Sequence, residues 1–157
     1  MKLLDILSAV VVVDFGTIVL SKFFNLGKSL DKWYKKFGMT AVVSDCLIIV
    51  LGIQLALLFE PKAGWFHLLM MALAIQVFHD IWFYFGVIQP IPQGHNEIID
   101  LFKEYAQENS WKIVVADSLM VTSTVVLAEV LSNYQESLVA FVGLLATYAL
   151  TYIIYTK

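Results

Sequence analysis

The chain has 157 residues, 60% of them hydrophobic and 15% charged, with a formal net charge of −3 and a mean hydropathy of +0.79. Soluble domains carry about 25% charged residues, so this balance excludes an ordinary water-soluble domain and points to a multi-pass membrane protein. The acidic balance, with no basic patch interleaved with aromatics, argues against nucleic acid as a partner, and the single cysteine, Cys46, cannot form an internal disulfide.

A spanning helix needs about 20 predominantly apolar residues. Five stretches qualify: residues 3–22, 39–59, 64–88, 112–132 and 137–156. The first could pass for a leader peptide, but Asp14 interrupts its apolar run and no small-x-small cleavage site follows, so a spanning helix is expected. Leu26, Leu30, Trp33, Tyr34 and Phe37 then recur at helical spacing between Lys28, Asp31, Lys32, Lys35 and Lys36. That pattern predicts an amphipathic helix in the interface, with its rings at headgroup level and its lysines reaching to phosphate.

The second span runs from Met39 to Phe59 and stops at the polar turn Glu60-Pro61-Lys62. The third begins at an interface marked by Trp65 and His67 and passes Gln76, His79 and Asp80 before the aromatic belt Trp82 to Phe85. Gln89-Pro90-Ile91-Pro92-Gln93-Gly94 breaks the helix, and Asn96 is the expected N-cap of a second surface helix carrying Ile98, Ile99, Phe102 and Tyr105. The fourth span starts at Trp111, and Ser132 to Glu136 leads into the fifth. There Gly143, Thr147 and Thr151 form a small-xxx-small edge suited to close helix contact.

A repeat organises this order. Val42-Val43-Ser44-Asp45-Cys46-Leu47 returns as Val114-Val115-Ala116-Asp117-Ser118-Leu119, and each copy follows an apolar stretch with its own aspartate, Asp14 or Asp80. Asp31 and Asp100 mark the amphipathic stretches between. The expected fold is therefore an all-α integral membrane protein in one domain, residues 1–157. It has five transmembrane helices and two interfacial amphipathic helices, arranged as a tandem parallel repeat (about 3–60 and 64–132) plus a fifth helix (about 137–156).

Lysine placement sets the expected orientation. Lys22, Lys28, Lys32, Lys35, Lys36, Lys103, Lys112 and Lys157 fall on one side, and only Lys2 and Lys62 on the other. The N-terminus is then outside, and the surface helices and C-terminus are cytoplasmic. With that topology Asp14, Asp45, Asp80 and Asp117 all lie about 8–12 Å inside the cytoplasmic boundary, at about 1.5 Å per residue.

Ionisable groups within a bilayer are costly, at least about 2.5–3.5 kcal/mol each on insertion scales. Four acids at one level need protons, a cation or lysine partners. The first functional expectation is a channel- or transporter-like protein handling protons or hard cations through Asp14, Asp45, Asp80 and Asp117. His79 is its proton partner, and Gln76 and Tyr84 supply further oxygens from Asp80's helix face. Oxygen-only ligands suit Na⁺, Mg²⁺ or Ca²⁺, and no cofactor beyond a proton or such a cation is expected.

The alternative is a non-catalytic scaffold or assembly protein. Its aspartates are structural clasps, tied to backbone amides or to Lys22, Lys36 or Lys112. A lipid-modifying enzyme using His67, His79 and His95 comes third. His79 and Asp80 are adjacent and diverge by about 100° on a helix, no His-x-x-x-His pair exists, and no nucleophile–base spacing appears. Cys46 reads as a small core residue, Trp33, Trp65, Trp82 and Trp111 as interfacial anchors, and Tyr148, Tyr152 and Tyr155 as packing. The expected partners are the lipid bilayer and further copies of the chain.

The stretch Pro92 to Ala106, followed by Ala116-Asp117-Ser118-Leu119-Met120, resembles small uncharacterised multi-pass membrane proteins of large DNA viruses that infect algae and protists. The resemblance implies a host-derived or virion membrane and brings no activity with it. The five-span, tryptophan-containing format is also similar to tryptophan-rich sensory proteins, but their tryptophan- and proline-bearing signatures are missing.

Overall fold

The computed structural model describes residues 1–24 and 28–156, so Leu26 of the first amphipathic stretch and Lys157 of the lysine count lie outside the described residues. The described residues form helices and no strands. In chain order they are α1 (Leu3–Phe24), α2 (Lys28–Phe37), α3 (Met39–Phe59), α4 (Trp65–Phe83), α5 (Glu97–Asn109), α6 (Lys112–Leu131) and α7 (Glu136–Ile153). α4 continues into a π-helical turn, Tyr84–Ile88, closed by the Gln89 amide donating to the Tyr84 carbonyl at 3.0 Å.

Five of these helices, counting α4 with its π turn as one, are long and apolar enough to cross a membrane. α2 and α5 are short and polar on one side. Each long helix is apolar on most of its circumference, so neighbours and not amphipathicity decide which face is buried. α1 packs on α3, α6 and α7, while α4 packs on α3 and α6. Thus α1, α3, α4 and α6 close a four-helix ring, and α7 lies along α1. Ile6, Val10, Ile18, Ile53, Leu68, Val121 and Val125 fill the core and are at most 1% exposed.

The seam between α1 and α7 depends on Gly143. A Cβ there would stand 2.6 Å from Ser8 Oγ and 3.2 Å from Ser8 Cα. The expected Gly143-Thr147-Thr151 edge is correct only at its first member. Thr147 and Thr151 face outward, and Val139, Gly143, Ala146 and Leu150 carry the contact. The two threonine hydroxyls instead donate to carbonyls of their own helix, Gly143 and Tyr148. The pair is also tied at both ends, by Lys2 Nζ to Glu136 Oε1 and by Lys22 Nζ to the Thr156 carbonyl, each at 2.5 Å.

α2 and α5 lie against each other at one end of the ring. Asn96 caps α5 as expected, its side-chain oxygen accepting from the amides of Ile98 and Ile99 at 2.9 and 3.1 Å. Glu108, near the end of α5, caps α2 from outside by accepting from the amides of Lys28 and Ser29 at 3.0 and 2.9 Å and from the Ser29 hydroxyl. Lys32–Glu104 and Lys36–Glu97 bridge the same seam at 2.7 and 3.2 Å. Between the two helices an open groove of about 560 Å³ is lined by Lys35, Gln93 and Asp100 together with those pairs.

Candidate functional site

Each helix of the ring contributes one aspartate: Asp14 from α1, Asp45 from α3, Asp80 from α4 and Asp117 from α6. Measured along each helix from the end nearest α2 and α5, Asp117 and Asp45 stand about 8–9 Å in, Asp80 about 12 Å and Asp14 about 15 Å. α1 continues to Phe24, two residues beyond the expected boundary, so Asp14 is the acid farthest from its own helix end.

Asp14 is fully buried, and neither carboxylate oxygen has a hydrogen-bond partner. Asp45 is the opposite case. Gly38, at φ +52°, joins α2 to α3 without a loop, so α2 folds back over the first turns of α3. Trp33 Nε1 then donates to Asp45 Oδ2 at 2.9 Å, and the Tyr34 hydroxyl donates to the same oxygen at 3.2 Å. Trp33 and Tyr34, expected to meet lipid headgroups, are packed within the protein instead. They are 5% and 6% exposed, and Trp33 packs on Phe37 and Phe102 with ring centroids 5.0 Å away in each case.

The tyrosines report how closely the acids gather. Burial pushes the Tyr34 phenol well above its usual range, and the charges of Asp45 and Asp14 add to the effect. Burial likewise raises Tyr105 on α5, reinforced by Asp117, Asp45 and Glu108 in that order. Asp117 in turn lies in the field of Asp80 and Asp45. The charges of Asp45 and Asp14 thus bear on Tyr34, and those of Asp117 and Asp45 on Tyr105.

Around Asp80, Gln76 Nε2 donates to Oδ1 at 2.7 Å, and His79 Nδ1 lies 3.3 Å from the same oxygen. His79 reaches Asp80 although the two are adjacent, because its ring folds down onto Phe83, stacked at 5.4 Å and 14°. Asp80 Oδ2 is buried without a partner. Tyr84, expected as an oxygen donor on this face, sits in the π turn, edge-on to Phe85. It lines a small cleft with Ile88, Gln89, Lys103 and Gln107.

The lysine clasps do not form. Lys22 binds the Thr156 carbonyl, Lys36 pairs with Glu97, and Lys112 is exposed. His67 pairs with Glu60 at 3.0 Å, His95 is exposed, and Cys46 is a buried free thiol. Among the described residues no three His, Cys, Asp or Glu side chains gather closely enough to hold a single metal ion.

Three contributors escape a reading of the sequence alone: Trp33, Tyr34 and Tyr105. They look like ordinary interfacial aromatics, and only the turns that fold α2 and α5 back onto the ring reveal them. Farther along α6, Thr124 is fully buried, and its hydroxyl has no partner. No family model, curated protein or solved structure matches the chain.

Proposed function

We propose that this is a membrane protein that handles protons or hard cations through Asp14, Asp45, Asp80 and Asp117, with His79 as a proton partner. The observation that carries the reading is Asp14, whose carboxylate is fully buried with both oxygens unpartnered and another acid beside it. A carboxyl so buried, with only the Tyr34 hydroxyl nearby to offset desolvation, is neutralised by a proton or by a bound cation.

In this reading the five long helices span the bilayer, with α2 and α5 on the lysine-rich cytoplasmic side and the N-terminus outside. The order of long, short and long helices in α1–α3 and again in α4–α6 supports the tandem repeat, and α7 is the addition. The resemblance to viral membrane proteins supports a host-derived or virion membrane, and a homo-oligomer within it fits the exposed apolar flanks.

A scaffold reading retains one specific support, the clasp of Trp33 and Tyr34 on Asp45. Proton and cation flux into proteoliposomes separates the two. Asp45→Asn with Asp117→Asn abolishes flux if the acids carry it. A correctly folded wild type that passes no ions leaves the scaffold.

A further inference from the structure

The acids lie beneath α2 and α5, so a proton arriving from the water on that side must be handed through the cover. Two side chains of the cover touch Asp45 Oδ2, and they are not chemically equivalent. An indole nitrogen donates one hydrogen bond and accepts none, whereas a phenol oxygen donates and accepts. Trp33 can hold Asp45 but has no lone pair on which to receive a replacement proton. Tyr34 has one.

Tyr34 is also the group placed between sites. The titratable groups that face it are Asp45 on α3, Asp14 on α1 and Tyr105 on α5. Tyr105 is only partly buried and lies in the field of Glu108, which is exposed at the α2–α5 seam. Of these groups Tyr34 and Asp45 share a hydrogen bond, and Tyr105 stands on α5, the helix that packs on α2.

We infer that Tyr34 is the hydroxyl relay between water and the acid cluster, with Tyr105 feeding it from α5, while Trp33 only positions Asp45. In one transfer an incoming proton bonds to the Tyr34 oxygen as its original O–H bond breaks toward Asp45 Oδ2. The phenol is neutral before and after, the carboxylate gains one proton, and rotation of the hydroxyl resets the relay. No electrons change hands. The inference rests on the proton reading above.

The test uses the full chain in liposomes that trap a pH-sensitive dye, with the voltage clamped by potassium and valinomycin and an external acid pulse. Tyr34→Phe slows lumenal acidification by about a hundredfold without changing its final extent. Tyr105→Phe slows it less, and Trp33→Phe, which loosens Asp45 but keeps the phenol beside it, slows it far less than Tyr34→Phe. Asp-dependent flux that is untouched by Tyr34→Phe, or slowed as much by Trp33→Phe, overturns the relay and leaves the proton reading standing. A wild type no faster than protein-free liposomes removes both. Should Tyr34→Phe fail to fold, Tyr105→Phe decides, and an unchanged rate there overturns the route.

Discussion

Gly38 and Ser110 hold the same backbone conformation, φ 52° and ψ −129° for one, φ 49° and ψ −130° for the other. They stand as far apart in the chain as Asp45 and Asp117. Their amides donate to the Tyr34 and Ala106 carbonyls at the same 2.9 Å, and their carbonyls accept from Ala41 and Ile113. In both places this one turn ends a short helix and starts a long one, and it fixes where the following aspartate falls.

Only glycine takes that conformation without strain, the first central position of a type II′ turn. Ser110→Gly therefore stabilises the protein by about 0.5–1 kcal/mol, read as a rise in melting temperature in detergent. Gly38→Ala destabilises it by about 1 kcal/mol or more, and its new Cβ also meets the Tyr155 hydroxyl at 2.7 Å. Opposite signs for the two are the expected outcome.

Trp33→Phe keeps the ring stack on Phe37 and Phe102 and deletes the bond to Asp45. The loss is about 1 kcal/mol and is local to α2. Hydrogen exchange is the measure, with α2 amides exchanging about fivefold faster and those of α7 unchanged.

Gly143→Val drives its side chain into Ser8 and costs about 1–3 kcal/mol, whereas Thr147→Ala, one turn on and facing outward, stays within about 0.5 kcal/mol. Thermal unfolding in one detergent compares the two. Equal effects would show that the contact edge follows the small-residue spacing after all.

The Ser29 hydroxyl, then the amides of Ser29 and Lys28, hold the Glu108 carboxyl below its usual 4.5. The folded state thus favours ionised Glu108. Its contribution is fully present above the usual value and is lost as pH falls through the lowered one. Proteolysis at the start of α2 should accelerate in that acid range, and Glu108→Gln should flatten the dependence.

Thr124→Val removes a buried hydroxyl that has no partner while keeping its shape. With no ligand bound, stability rises by up to about 1 kcal/mol. A fall, read by thermal unfolding, would mean that the hydroxyl has a bonding partner.

The long helices were legible because apolar length and polar breakers are local signals: Glu60-Pro61-Lys62 ends α3 within one residue of expectation, and Asn96 caps α5. The four acids were legible as intruders in apolar runs. Their partners were not, since Trp33 and Tyr34 carry the same lysine-and-aromatic pattern whether the rings meet lipid or a neighbouring helix. What separates those cases is the loop-free reversal at Gly38, a backbone fact with weak sequence trace. The π turn at Tyr84–Ile88 was missed for a related reason. One residue of extra winding leaves composition unchanged, and it falls beyond Tyr84, whose amide still bonds the Asp80 carbonyl.

α1 precedes α6 and α7 in the chain, yet both of them enclose it. A nascent α1 therefore carries its acid before those two walls exist, and something must shelter it while the remaining helices emerge. A chain cut after α5 would lack two of the helices that enclose α1.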